Sequence, residues 1–534
     1  MNELETIAEQ TFGWPTLRPE QLEAMQALLA GRDVLAVMAT GSGKSAIYQL
    51  PAVLVDGATV VVSPLIALQE DQIAGLADTN APEAVAINSA LGADESAENW
   101  RDLRARAANY VFLTPEQLAT EDVVAKLERV QVALFVVDEA HCISDWGQDF
   151  RPDYLRLPDV VDRIGRPPVA ALTATASPPV RQEIVERLRL REPAIVAGGF
   201  DRPNLRLVVD QHIDDADKRA AVVETAAGLP QPGLIYTATR KDAERYAAAL
   251  AERGLRTAFY HAGLAKSRRE EVHEGFRDGA YDVVAATSAF GMGIDKPDVR
   301  FVLNASVPES IDTYYQQMGR AGRDGEPAEA RLFYRAEDLS LGKYFTTRRP
   351  DPELLRRVHA ALDTSTPKRL TDLASKLDLT RRRVTQAVNI LEQAHKVTAG
   401  PRGFVRTDDD SDAAVERALD LAAARQRFDR TRIEMMRRYA EIRSCRRQFL
   451  LGYFGENLPE PCGNCDRCLA HDDATPEPEQ ESAIPVDTDV EHEKWGHGIV
   501  LSGDSDEITV LFDDYGYRNL SVAAVRERNL LRVL

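Results

Sequence analysis

Residues 34–45 read Val-Leu-Ala-Val-Met-Ala-Thr-Gly-Ser-Gly-Lys-Ser, an apolar run of strand length that enters a glycine-punctuated turn ending in Lys-Ser. A run this short is a buried parallel strand, and it delivers its turn onto the N-terminus of a helix. Glycines at 41 and 43 let backbone N–H groups approach an anion without a Cβ in the way. Thr40, Gly41, Ser42 and Gly43 therefore form a candidate phosphate cradle. Lys44 supplies a mobile charge for the outer phosphates and Ser45 a hydroxyl for Mg²⁺. Met38 stands where the strict G-x-x-x-x-G-K-[ST] pattern has its first glycine, so the loop taken alone also fits a plain glycine-rich turn.

The 534 residues leave room for about three or four domains. A composition 44% hydrophobic and 28% charged is that of a soluble globular protein. No stretch approaches the roughly 20 continuous apolar residues of a membrane span, and Met-Asn-Glu-Leu-Glu does not begin like a secretory signal. The expectation is a cytoplasmic protein with no membrane partner. A formal charge of −20 excludes a generally basic nucleic-acid coat, so a nucleic acid must be met by local basic surfaces. Four of the five cysteines cluster between 445 and 468, which in a reducing compartment favours metal over disulfides.

Short β-type runs alternate with helical stretches as far as about Tyr334. Strands are expected at 34–39, 59–63, 110–113, 133–137 and 169–172, then at 233–236, 257–260, 282–286 and 301–305. The alternation predicts parallel sheets with covering helices, and its break near 200–204 predicts two α/β lobes with the nucleotide in the cleft between them. Ahead of the loop, Trp14, Arg18 and Gln21 either sandwich a purine and read its edge or form a helix-entry turn. The strand at 133–137 ends in Asp138-Glu139-Ala140-His141, which puts Asp138 on Mg²⁺, Glu139 on the water and His141 in a relay between lobes. Trp146 and Phe150, with Arg151, lie in a polar segment just beyond; they either stack on bases or fill the core. In the second lobe Gln316, Arg320 and Arg323 are the catalytic candidates. The two arginines, three apart, share a face if helical and would neutralise charge on the γ-phosphoryl group. The glycine-interrupted segment at 286–295 brings Asp295 toward the nucleotide.

Together these segments resemble the RecQ family of superfamily 2 helicases over the first 340 or so residues. The resemblance rests on Phe-Gly-Trp…Arg-Pro-Glu-Gln at 12–21, Thr-Gly-Ser-Gly-Lys-Ser at 40–45, Ser-Pro-Leu-Ile-Ala-Leu at 63–68 and Asp-Glu-Ala-His-Cys-Ile-Ser-Asp-Trp-Gly at 138–147. Ala-Phe-Gly-Met-Gly-Ile-Asp-Lys-Pro at 289–297 and Gly-Arg-Ala-Gly-Arg-Asp-Gly at 319–325 complete it. It implies ATP as fuel, 3′-to-5′ movement on single-stranded DNA, unwinding of forked or duplex DNA, and a role in repair or recombination. It also implies adenine contacts from Trp14, Arg18 and Gln21, γ-phosphate contacts from Arg320 and Arg323, and a DNA-sensing loop containing Trp146 and Phe150. An ATP-driven translocase that remodels protein–DNA complexes without strand separation is the alternative.

Cys445 and the run Cys462-Gly-Asn-Cys465-Asp-Arg-Cys468 make a four-sulfur site with structural Zn²⁺ as its occupant, ahead of an iron–sulfur cluster or redox thiols. RecQ enzymes carry a zinc module of similar spacing. Residues 365–407 look like a winged helix, with Thr380 as N-cap and Arg381, Arg382 and Arg383 opening a recognition helix for DNA; a protein-binding winged helix is the other reading. RecQ relatives usually place theirs after the zinc module. The basic stretch 425–450 is either a solvated helix face or a stripe for the DNA backbone. An acidic, proline-containing segment reads as a disordered linker, and the alternation after Trp495 suggests a Tudor-like or SH3-like barrel. That barrel resembles the C-terminal one of bacterial superfamily 1 repair helicases, which implies a protein partner such as RNA polymerase or a repair factor.

The expected fold is α/β: two tandem RecA-like parallel-sheet lobes, then a winged helix, a helical four-cysteine zinc module and a small all-β barrel. The expected boundaries are 1–204, 205–345, 350–410, 411–471, a linker at 472–490 and 491–534. A monomer in the bacterial cytoplasm or nucleoid completes the expectation.

Overall fold

The structure, a computed structural model, describes residues 3–88, 91–144, 151–291, 296–339, 350–400, 403–470, 484–485, 488–503, 507–512 and 515–534. Trp146, Phe150 and Asp295 lie outside the described residues, as does most of the acidic stretch 472–490.

Strands β1 (Val34–Met38), β2 (Ala58–Val62), β3 (Glu83–Ile87), β4 (Ala108–Leu113), β5 (Val132–Val137), β6 (Val169–Thr173) and β7 (Ala194–Gly198) form one parallel sheet in the order β3-β4-β2-β5-β6-β1-β7. β1, β2 and β6 are buried at every residue, as unbroken Val, Ala and Leu runs covered by helices on both faces require. Their carboxyl ends open on one edge, where ligands of such sheets bind. A second parallel sheet follows in the order β10-β11-β9-β12-β13-β8. Its strands are β8 (Leu205–Gln211), β9 (Gly233–Tyr236), β10 (Thr257–Tyr260), β11 (Val283–Ala286), β12 (Phe301–Asn304) and β13 (Ala328–Tyr334). The chain passes between the sheets over residues 199–204.

Three helices, Pro352–Ala361, Leu370–Leu377 and Arg381–Gln393, and the antiparallel hairpin β14 (Val397–Gly400) with β15 (Gly403–Arg406) pack around a core that includes Leu355, Leu373, Val388 and Val397. Thr380 caps the third helix, its Oγ1 accepting the Arg383 N–H at 3.5 Å, and Arg381, Arg382 and Arg383 stand exposed on its first turn. The 31-residue helix Ser411–Glu441, about 46 Å long, joins this unit to the rest. Its first turns add Ala414, Val415 and Ala418 to the same core, and its last turns pack Tyr439 against Tyr314 of the second lobe at 5.0 Å between ring centroids.

The basic stretch 425–450 divides: Arg432, Arg446 and Arg447 are buried and occupied inside the protein, whereas Arg427, Arg430, Arg437 and Arg443 are exposed. Arg432 is buried and donates to Ser310 Oγ at 3.0 Å, with Asp312 Oδ2 at 3.4 Å, and Tyr453 OH donates to the same Asp312 oxygen at 2.6 Å. Arg446 is fully buried and bonds Asp466 at 2.5 and 2.9 Å. Arg447 donates to Leu205 O at 2.6 Å, and Arg438 to Thr509 Oγ1 at 2.9 Å. Losing one partner of a buried, hydrogen-bonded pair such as Arg432–Asp312 leaves a charge uncompensated, at a cost of about 3–5 kcal/mol. Ser310 caps the helix Ile311–Met318, so the long helix holds the N-terminus of the element that carries Gln316.

At the C-terminus β16 (Asp489–His492), β17 (Gly496–Gly503), β18 (Glu507–Phe512), β19 (Gly516–Ser521) and β20 (Arg532–Val533) form an antiparallel sheet in the order β19-β18-β17-β16-β20. It is a half-barrel. Among the described residues no ladder joins β19 to β20, and β16 begins inside the stretch expected to be linker. No helix among the described residues is long and apolar enough to cross a membrane.

Candidate nucleotide cleft and metal centre

β1 ends at Met38, and the loop that follows turns twice through the left-handed region, at Gly41 and Gly43, both with φ +78°. A Cβ on Gly43 would stand 2.7 Å from Gln21 Nε2, and one on Gly41 would stand 3.3 Å from Arg323 Cγ across the cleft, so a side chain at either would add displacement of a neighbour to the strain of its positive φ. Ser45 is the N-cap of helix Ala46–Leu54, whose first N–H groups, of Ala46, Ile47 and Tyr48, donate to Gly43 O, Lys44 O and Ser45 O, and the loop ahead of it borders a cavity of about 390 Å³. Trp14, Thr40, Lys44, Asp138, Glu139 and Gln316 line it, and Arg320 and Arg323 close it from the second lobe.

Lys44 Nζ donates to Met38 O at 3.0 Å and Ala39 O at 3.3 Å, folded back on its own loop. Burial holds this ammonium below its usual pKa, against the pull of Glu139 and Asp138, and the Arg323 charge adds to the lowering. Asp138 accepts from Glu139 N at 2.9 Å and Gln72 Nε2 at 3.3 Å; burial, reinforced by the Glu139 charge, raises its carboxyl to about 6. A divalent cation between Asp138 and the Ser45 hydroxyl would relieve that destabilised carboxylate, so the residues fit Mg²⁺. Glu139 has φ 49° and ψ 46°, a left-handed conformation rare for a residue with a side chain, which turns its carboxylate into the cleft. Burial alone would raise Glu139, but His141 and the charges of Lys44 and Arg320 outweigh it and hold the group low.

Between the lobes runs a chain of polar contacts. Glu139 Oε2 is 3.2 Å from His141 Nδ1, which is 2.9 Å from Thr173 Oγ1; Thr173 Oγ1 donates to Thr175 O at 3.1 Å, and Gln316 Nε2 donates to Thr175 Oγ1 at 3.3 Å. These contacts link Glu139 of the first lobe to Gln316 of the second through His141, Thr173 and Thr175.

Arg320 and Arg323 do not share a helix face. The helix ends at Met318 with Gly319 as C-cap, and Gly322 at φ +55° turns the chain. Both guanidinium groups reach the cavity from this turn instead, and the buried Nε of Arg320 has no hydrogen-bond partner among the described residues. Two guanidinium groups and an ammonium thus converge on one cavity, together with the Asp138 and Glu139 carboxylates.

The residues expected to meet a purine converge less completely. Trp14 stacks on Phe12 with ring centroids 4.3 Å apart, and both line the cavity. Gln21 is engaged at both ends: Oε1 accepts the Arg18 N–H at 2.8 Å, and Nε2 donates to Gly43 O at 2.9 Å and Ser42 O at 3.2 Å. Arg18 itself is exposed. Arg151 donates to Pro64 O at 2.9 Å and stays on the first lobe.

The sulfur atoms of Cys445, Cys462, Cys465 and Cys468 lie within 4.8 Å of one another. The Cys465–Cys468 and Cys462–Cys468 separations are 3.4 and 3.9 Å, bracketing the roughly 3.8 Å expected around a tetrahedral ion 2.3 Å from each sulfur. The N–H groups of Cys462 and Cys468 point at Cys445 Sγ and Cys465 Sγ at 3.3 and 3.4 Å, as they do toward thiolates. The four residues fit a closed structural Zn²⁺ site.

Models of known families match three parts of the chain: DEAD/DEAH box helicase over residues 18–184, helicase conserved C-terminal domain over 217–325, and RecQ zinc-binding over 409–469. The "ATP-dependent DNA helicase RecQ" of Pasteurella multocida is 34% identical over 463 residues, covering 87% of this chain and 62% of that protein. The "Probable ATP-dependent DNA helicase RecS" of Bacillus subtilis is 32% identical over 470 residues, 88% of this chain and 92% of that protein. Among solved structures, the DUF1998 helicase MrfA bound to DNA aligns with a TM-score of 0.53 at 18% identity, over 78% of this chain and 63% of that one. Mss116p bound to single-stranded RNA and AMP-PNP aligns at 0.52 and 18%, over 73% and 87%. Those two likenesses concern the fold. Phosphate loop, acidic strand end, arginine turn and four-sulfur module thus occur in the order and over the spans of the matched models, and the chain belongs to the RecQ family of ATP-dependent DNA helicases.

Proposed function

We propose that this protein hydrolyses ATP in the cleft between its lobes and uses the resulting closure to move 3′ to 5′ along single-stranded DNA and open duplex ahead of it. The observation that carries this reading is the single cavity in which Lys44, Asp138 and Glu139 of the first lobe face Arg320 and Arg323 of the second. In it the loop N–H groups and Lys44 hold the phosphates, Ser45 and Asp138 hold Mg²⁺, Glu139 orients the attacking water, and the two arginines neutralise charge on the transferred group. Trp14, Arg18 and Gln21 select adenine, which requires the Gln21 amide to exchange a loop carbonyl for the base.

Arg381, Arg382 and Arg383 are the duplex contacts of the helix–turn–helix unit and hairpin, supported by their exposure at a capped helix start. The C-terminal half-barrel is the site of a protein partner, and the enzyme acts as a monomer in the cytoplasm, in repair or recombination. Each base-pair step opened costs about 1.4 kcal/mol on average, so strand separation must draw on hydrolysis.

Duplexes with a single-stranded arm on either the 3′ or the 5′ side test the reading. The expected result is separation of the 3′-armed duplex with ATP and Mg²⁺, and none with a non-hydrolysable analogue. Hydrolysis on both substrates without separation of either would instead identify a translocase that does not unwind.

A further inference from the structure

The passage between the sheets, residues 199–204, contacts the cleft through one residue whose role no motif announces. Arg202 Nη2 donates to Ala321 O and Gly322 O, both at 2.8 Å, while Nη1 makes longer contacts to Gly319 O at 3.3 Å and Thr40 O at 3.4 Å. One planar guanidinium therefore spans the carbonyls of the turn that carries Arg320 and Arg323 and a carbonyl of the phosphate loop, a geometry that suits arginine and not lysine. Asn204 grips the same turn, its Nδ2 donating to Gly322 O at 2.8 Å and Glu326 O at 2.9 Å.

The far side of this passage is held by the cysteine module. Arg447 Nη1 is 3.3 Å from Asp201 Oδ1, and Asn464, between two of the cysteines, donates to Pro203 O at 3.2 Å. Phe454 stacks on Phe200 with centroids 4.9 Å apart, and Glu456 accepts the Phe200 N–H at 2.9 Å. Phe200, Asp201 and Pro203 are thus held from one side, and Arg202 and Asn204 between and after them hold the arginine turn on the other.

We propose that Arg202 is a positioning residue for γ-phosphoryl transfer, clamping the Arg320–Arg323 turn onto the phosphate loop from a passage that the cysteine module keeps in place. This rests on the nucleotide reading of the cleft. Arg202 is not among the residues lining the cavity, so its effect belongs to turnover and not to nucleotide affinity.

The test uses full-length, zinc-loaded protein with saturating single-stranded DNA. Arg202→Ala lowers kcat for ATP hydrolysis on the order of 10²-fold, the scale of a misplaced catalytic group. The KM for ATP and the affinity for ADP stay within about threefold. The variant loses the preference for ADP–aluminium fluoride over ADP, which reads the transition-state arrangement. Arg202→Lys restores part of kcat, and Asn464→Ala, which keeps all four sulfurs, lowers kcat in the same direction. An unchanged kcat in Arg202→Ala, or equal loss of ADP and ADP–aluminium fluoride binding, overturns the positioning role. An unchanged kcat in Asn464→Ala overturns the module's share. Absence of DNA-stimulated hydrolysis in the unaltered protein is a different failure, that of the nucleotide reading itself.

Discussion

Replacing Arg323 with alanine lowers DNA-stimulated ATP hydrolysis by on the order of 10³-fold, at the lower end of what arginines facing a γ-phosphoryl group contribute. The expectation follows from where the turn after helix Ile311–Met318 delivers the side chain. Its Cγ would stand 3.3 Å from a Cβ at Gly41, so the guanidinium is in the phosphate loop's own space, and its charge is one of the influences lowering the Lys44 pKa. Charge is redistributed over the phosphoryl and leaving oxygens in the loose transition state, and a fixed cation placed for that distribution acts more on the rate than on ground-state binding. Steady-state phosphate release and ADP titration on the same preparation check this. A variant that keeps its kcat would remove Arg323 from the chemistry, and one that loses ADP binding in proportion would make it a ground-state contact.

Replacing Cys462 or Cys465 with serine unfolds the cysteine module. Zinc binding of this kind contributes roughly 10 kcal/mol or more to folding, as much as the whole stability margin of a typical domain. The damage does not stay local. Cys465 forms a parallel bridge with Leu207 of β8, Asp466 pairs with the buried Arg446, and Phe454 packs between Phe200 and Tyr315 at the junction of the lobes. Metal analysis, thermal unfolding and limited proteolysis across 409–469 together read the outcome. The expected variant has lost its zinc, melts earlier and is cut within the module. A variant that keeps one zinc per chain and the unaltered melting curve would show that the sulfur cluster is not what holds this region together.

The phosphate loop and the acidic strand end were legible because each pairs an unbroken apolar run with a chemically distinctive terminus. Burial on both faces lets no polar residue interrupt such a strand, so its ends are sharp. β3 and β7 were not legible because they are edge strands, half buried and mixed in character. β13 was missed for another reason: it carries Glu329 and Arg331, whose charges are balanced by each other and by Asp210 on the neighbouring β8. Such pairing exists only once the sheet is assembled.

Charge alone did not separate the buried arginines of 425–450 from the exposed ones. A count of arginines cannot distinguish a DNA stripe from a set of internal clamps, because the partners, Asp312, Asp466 and the carbonyl of Leu205, come from distant parts of the chain. Arg202 was invisible for the same reason: its partners are backbone carbonyls, which carry no sequence signature. Spacing put Arg320 and Arg323 together correctly but on the wrong kind of element, since Gly319 and Gly322 end the helix before either arginine.

Phosphate release by the zinc-loaded protein, measured with and without single-stranded DNA beside the Lys44→Ala variant, decides whether the two lobes form one nucleotide-driven motor. The expected result is hydrolysis strongly stimulated by DNA in the unaltered protein and absent from the variant. Hydrolysis that ignores DNA, or that survives the loss of Lys44, would contradict it.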